Sequence, residues 1–295
     1  MNIKYLSLIS LTTAVLVYSC NFNKSVNTNL VTGLTTVGDG LSCEEVYLSA
    51  TEGRVQKNTF IYGEEFDLNF SNIQGFTKEN EAVFPGLTIQ VTGEDGEKVM
   101  ETEDLYANYT EGMDFSPLLL VANLTVATPM HSNNNYVVSV SIWDKKGSGK
   151  FTAKMPFNVV PDEQIDIEKN GTSCSEVYLY SGKSGKVITD QKAAFNEDVL
   201  LIFEGLTGFQ EDQGNVFVGM SILAKDNADH TIIAMDDLFK SYDETGIPAE
   251  NLREQASATI TFTEGEVSNP VHCEVIVYDK KGDASIKAET DLTVL

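Results

Sequence analysis

Tyr136-Val137-Val138-Ser139-Val140-Ser141-Ile142-Trp143-Asp144-Lys145-Lys146-Gly147 is the stretch that decides the fold class. Val138, Val140 and Ile142 alternate with the residues between them, the period of a strand with one face buried. The Asp-Lys-Lys-Gly that follows is a turn. The same pattern returns later in the chain, where Val277-Tyr278-Asp279-Lys280-Lys281-Gly282 repeats Ile142–Gly147 at an offset of 135.

Outward from that segment the chain proves to be internally repeated. Glu45-Val46-Tyr47-Leu48 matches Glu176-Val177-Tyr178-Leu179, and Cys43 matches Cys174, at an offset of 131. Phe66, Leu68, Phe70 and Gly75-Phe76 match Val199, Leu201, Phe203 and Gly208-Phe209 at 133, as Asp104-Leu105-Tyr106 does Asp237-Leu238-Phe239. Small insertions account for the drift. Two copies of one unit therefore span 41–160 and 171–295, each the size of one domain. Residues 20–40 read as a flexible tether and 161–170 as a linker of polar residues opened by a proline.

In the first copy, alternation predicts strands at 45–50, 65–72, 86–93, 98–105, 122–128, 136–144 and 151–160. Seven short strands in a domain of this length predict a β-sandwich. Pro248 followed by Ala249–Glu254 predicts a short helix, and Pro117–Leu120 suggests a similar crossover in the first copy. The strand ending in an aromatic and then Asp-Lys-Lys-Gly resembles the last hairpin of bacterial immunoglobulin-like domains. The expected fold is all-β, with two tandem immunoglobulin-like β-sandwiches.

The first residues carry Lys4, an apolar stretch from Tyr5 to Val17, and then Tyr18-Ser19-Cys20. That stretch is short of the roughly 20 residues a membrane-spanning helix needs, so it reads as a secretory signal, residues 1–19. Ser19-Cys20 resembles the lipobox of bacterial lipoproteins, with Tyr18 departing from the small or β-branched residue usual at its position. The resemblance implies a diacylglycerol on the Cys20 sulfur and an acyl chain such as palmitate on its amino group. Such an anchor would hold the chain stably in a membrane of the cell envelope, here expected to be the outer membrane on its periplasmic side. Asn21-Phe22-Asn23-Lys24 follows Cys20, so the acidic run that tags some lipoproteins for surface export is not evident.

The formal charge is −24, and removal of residues 1–19 takes Lys4 and no acid, leaving −25. A surface so acidic repels phosphate backbones and excludes nucleic acid as a partner, because that affinity comes largely from Lys and Arg.

Residues with catalytic potential are few. Of the three histidines, His131 and His230 fall in polar turns without a counterpart in the other copy. His272 precedes Cys273, and neighbouring strand residues face opposite sides, so the pair is no base and nucleophile. Gly147-Ser148-Gly149-Lys150 has Phe151 where a phosphate loop needs Ser or Thr, Gly182-Lys183-Ser184-Gly185-Lys186 has Val177 where the leading glycine should be, and both read as hairpin turns. Asp104, Asp144, Asp237 and Asp279 recur between copies and are the candidate ligands for Ca2+, which takes six to eight oxygens, although no Asp-x-Asp-x-Asp-Gly loop is present. Trp143 and Tyr278 recur too. Alternation points them outward, where a flat ring can stack on a sugar or anchor a partner. With Cys20 committed to lipid, Cys43, Cys174 and Cys273 are odd in number and are expected as free thiols.

The reading that results is a lipid-anchored, non-enzymatic binding, adhesion or scaffold module whose partner is an envelope protein or a glycan. The alternative is a glycan-binding accessory lipoprotein, and a weaker one is a hydrolase with an unrecognised site.

Overall fold

The computed structural model describes residues 24–51 and 53–295, so the signal segment and Cys20 lie outside the described residues. In the first copy the strands are β1 (Lys24–Thr28), β2 (Thr35–Asp39), β3 (Glu45–Ala50), β4 (Gly53–Val55), β5 (Thr59–Ile61), β6 (Glu65–Ser71), β7 (Pro85–Gly93), β8 (Lys98–Glu101), β9 (Leu119–Thr125), β10 (Asn134–Asp144) and β11 (Lys150–Val160). The second copy continues with β12 (Asp166–Asn170), β13 (Glu176–Ser181), β14 (Lys186–Ile188), β15 (Lys192–Ala193), β16 (Asp198–Glu204), β17 (Glu211–Asp212), β18 (Asn215–Val216), β19 (Val218–Lys225) and β20 (Thr231–Met235). It closes with β21 (Ile247–Pro248), α1 (Ala249–Glu254), β22 (Ala256–Thr261), β23 (Val271–Asp279) and β24 (Ser285–Val294).

Apart from β1, which has no counterpart in the second copy, the two sheets of each copy repeat in the same order. One sheet of the first copy runs β1-β2-β11-β10-β7-β8, with β5 joined to β11, and its partner runs β4-β3-β6-β9. In the second copy the order is β12-β24-β23-β19-β20, with β15 joined to β24, against β14-β13-β16-β22. The β5–β11 and β15–β24 pairings are both parallel, whereas the other ladders are antiparallel. The chain is all-β apart from short helical turns, built as two tandem β-sandwiches. A small ribbon, β17-β18-β21, and α1 are additions to the second copy.

Alternation places the core as the sequence predicts. Along β10, Tyr136, Val138, Val140 and Ile142 point inward. Phe60 and Phe66 stack at 4.2 Å, with Phe157 edge-on to both. Burying such rings contributes about 2–3 kcal/mol each. The second core, drawn from residues 165–294, is more aliphatic and includes Val275, Val277, Ile286 and the thiol of Cys273.

Three expectations need correction. The stretch read as a flexible tether holds β1 and β2 from Lys24 onward, and Leu34 and Leu41 are buried in the first core. The stretch read as a linker is also folded: Ile165 belongs to the second core, Asp162 is buried, and β12 pairs with β24. Backbone ladders hold these polar segments, so their side chains show little apolar alternation. Finally, Pro117–Leu120 leads into β9 with Leu118 and Leu120 buried, whereas α1 follows Pro248 as predicted.

The two sandwiches touch where the end of the first meets the outer face of β13, β14 and β16. Ser132 donates its backbone N–H (2.9 Å) and its hydroxyl (2.6 Å) to Glu176, whose side chain is 2% exposed. The Tyr62 hydroxyl donates to Glu204 at 2.8 Å, and Lys186 pairs with Glu65 at 2.8 Å.

Candidate functional site

The Asp-Lys-Lys-Gly hairpin forms a clasp at one end of each sandwich. Asp144 accepts from the backbone N–H of Thr77 (2.7 Å) and of Lys146 (2.9 Å); Asp279 accepts from those of Gln210 (2.7 Å) and Lys281 (2.8 Å). Lys145 pairs with Asp104 at 2.7 Å, and Lys280 with Asp237 at 2.6 Å. The same two aspartates accept backbone N–H groups from Leu87 and Tyr106, and from Met220 and Phe239. Lys146 reaches Glu79 and the ring of Phe84, and Lys281 reaches Asp212 and the ring of Phe217. Each hairpin thus ties together two other connections, the one between β6 and β7 (β16 and β19 in the second copy) and the one after β8 (β20).

This geometry is what the recurring acids do. Burial works against the charge of Asp104, but the Lys145 ammonium and the two amides outweigh it and hold the carboxyl below the usual range. Asp237 is held down in the same way, with Lys280 as its cation. The four aspartates named as calcium ligands therefore face amides and ammonium groups, a setting that does not fit a cation. Among the described residues no group of three or more His, Cys, Asp or Glu side chains is placed to hold a metal ion. Lys145 and Lys280 were the missed partners, and their recurrence beside the aspartates was the available signal.

Trp143 and Tyr278 sit on the outer sheet faces, half-buried, as alternation predicts. Trp143 lies across from Gly86, and Tyr278 from Gly219. A β-carbon at Gly86 would collide with Cε2, Cζ2 and Nε1 of the indole, and one at Gly219 with the phenol ring. Each ring therefore lies flat over a glycine and covers backbone a side chain would otherwise cover. Sequence reasoning missed the glycines, although Gly86 and Gly219 recur at the offset of 133 that relates the surrounding strands. Trp143 also borders a cleft of about 560 Å³, lined with it by Thr88, Ser141, Asp144, Lys150 and Thr152.

Cys43, Cys174 and Cys273 are unpaired thiols. Cys43 donates to the carbonyls of Glu45 (3.1 Å) and Ser71 (3.2 Å), and Cys174 to those of Glu176 (3.0 Å) and Glu204 (3.1 Å). Burial pushes Cys43 and Cys174 up to about 11 and Cys273 up to about 12, so none is an activated nucleophile. His272 is exposed beside Asp291 while Cys273 is fully buried, which separates that pair. His230 pairs with Asp226 at 3.2 Å, and His131 lies 3.6 Å from Glu176 at the junction.

No protein-family model matches the chain, and no curated protein sequence does. The chain is similar to the solved C-terminal domain of wzt, at 10% identity and a TM-score of 0.31 over 47% of this chain and 78% of that one. It is also similar to the Streptococcus agalactiae AgI/II polypeptide BspA C-terminal domain, at 11% identity and a TM-score of 0.24 over 83% of this chain and 99% of that one. A third likeness is to pT26-6p, at 10% identity and 0.25 over 92% and 65%. None of the three assigns an activity at this level of similarity.

Proposed function

We propose that the chain is a lipid-anchored, non-enzymatic binding module of the cell envelope, held through Cys20. One observation carries the non-enzymatic part: the polar residues that recur between copies are occupied in tying loops together, in both sandwiches and with the same partners. Catalytic groups must be free to act on a substrate, and these aspartates and lysines are engaged by amides and by one another. The anchor rests on the apolar stretch ending at Ser19-Cys20. The outer membrane, periplasmic side, is part of the same proposal, supported by Asn21-Phe22-Asn23-Lys24 after Cys20 in place of an acidic export tag. Metabolic labelling with a fatty acid tests it: the wild type takes up label and Cys20→Ala does not. Label retained in the variant would overturn the anchor.

Crosslinking in the native cell, followed by identification of the captured envelope protein, tests the binding role. A second reading, glycan binding, draws on the cleft beside Trp143, whose wall carries the hydroxyls of Thr88, Ser141 and Thr152. Titration of the soluble Cys20→Ala protein with neutral oligosaccharides, followed by tryptophan emission, decides it: unchanged emission rejects the sugar.

A further inference from the structure

We propose that the loop end of the first sandwich, carrying Trp143, Leu105, Tyr109 and Phe115, rests against a zwitterionic lipid surface; the inference depends on the Cys20 anchor proposed above. The first argument is the length of chain available. Only Asn21, Phe22 and Asn23 separate Cys20 from Lys24, the first strand residue among the described residues. The step from Cys20 to Lys24 spans at most about 14 Å even fully extended. A stalk of that length cannot lift the domain clear of the headgroups.

The second argument is which part of the domain that short chain enters. Lys24 pairs with Asp39, Asp39 with Lys150, Lys150 with Trp143, and Trp143 with Gly86, so all five lie in one row across the sheet. Three strand spacings separate Lys24 from Trp143 along that row, about 14 Å. The row is the clasp end of the sandwich. Its opposite end, at Ser132 and Tyr62, is the one covered by the second sandwich.

The third observation is independent of the anchor. Large apolar side chains are exposed at this same end: Leu105 is 44% exposed, Tyr109 50%, Phe115 68% and Leu119 50%. The ladder fixes their place. Leu105 bonds to Leu87 near the start of β7, Met113 to Val83 just before it, and Leu119 opposes Ser71 at the end of β6. Tryptophan and tyrosine favour the zone where one side of the ring is apolar and the other wet. Glu111 and Asp114 stand on the same loop and the mature chain carries −25, so an anionic surface would repel this end and a zwitterionic one would not.

The chain has one tryptophan, so its emission reports on this end alone. The lipidated protein, reconstituted in phosphatidylcholine vesicles containing headgroup-nitroxide phosphatidylcholine, should float with the vesicles and lose Trp143 emission relative to unlabelled vesicles. A variant with fifteen Gly and Ser residues inserted after Asn23 should float equally and recover that emission. Flotation without quenching in the unlengthened protein overturns the orientation and leaves the anchor standing. Absence of flotation overturns the anchor and the orientation with it. Quenching that persists with the spacer supports the docking surface and shows that it binds lipid without help from a short stalk.

Discussion

Glu176 and Glu204 face each other directly across the β13–β16 ladder, on the surface that the second sandwich turns toward the first. Like charges so placed repel. They are accommodated because donors from the other sandwich reach them, Ser132 on Glu176 and Tyr62 on Glu204, with the Tyr178 hydroxyl adding a bond of 2.7 Å to Glu204.

Tyr62→Phe should therefore weaken the junction while leaving the ring against Tyr178, 5.4 Å away. The expected loss is about 1–2 kcal/mol, because Glu204 loses a donor and the Thr128 N–H an acceptor. Urea denaturation reads it as a lower midpoint. An unchanged midpoint would mean that the junction adds nothing to stability.

Fragment boundaries offer a second check. Residues 162–295 should fold to a β-rich domain, and residues 171–295 should melt at a clearly lower temperature, because they lack β12 and the buried Ile165. Burial of one such side chain alone is worth about 2–3 kcal/mol. Equal melting temperatures by circular dichroism would show that the segment before Gly171 is dispensable.

Much of this architecture could be read from residues alone, and the exceptions share a cause. Alternation located β3, β6, β7, β10 and β11 to within a residue or two, because each has one face in a core. It missed β2 and β12, Thr-Thr-Val-Gly-Asp and Asp-Ile-Glu-Lys-Asn, whose hold on the sheet is through backbone bonds. Gly40, Ser42 and Cys43 recur as Gly171, Ser173 and Cys174, and that match runs up to the two strands. At the candidate site, the outward aim of Trp143 was legible. The glycine beneath it was not, since strand pairing brings Gly86 there from 57 residues away.

Gly86→Ala should displace the indole and destabilise the protein by about 1–3 kcal/mol. Trp143→Ala should cost less in the Gly86→Ala background than alone, since deleting the indole there also relieves the collision. Simple additivity of the two changes in a double-mutant cycle would refute the covering role.

Thiol chemistry gives a pH signature. In the native protein Cys43 and Cys174 stand at about 11 rather than 9, and Cys273 at about 12. The folded state thus holds these protons more tightly than the unfolded state. Their contribution to stability is complete below about pH 9 and is lost as pH rises toward 11 to 12. Iodoacetamide at pH 8 should leave all three thiols unmodified in the native protein and label all three in urea. Rapid native labelling of Cys43 or Cys174 would contradict this.

The folded segments at 24–39 and 161–170 also fix how the molecule carries mechanical load. A pull between the start of β1 and the end of β11, where the second sandwich begins, runs along the strands and across the β1–β2 and β2–β11 ladders. Hydrogen bonds in antiparallel ladders lie perpendicular to the strands. Force in that direction loads all the bonds of a ladder together, in shear, and does not unzip them one by one. A partner tugging on the second sandwich would meet a stiff strap in place of a slack cord.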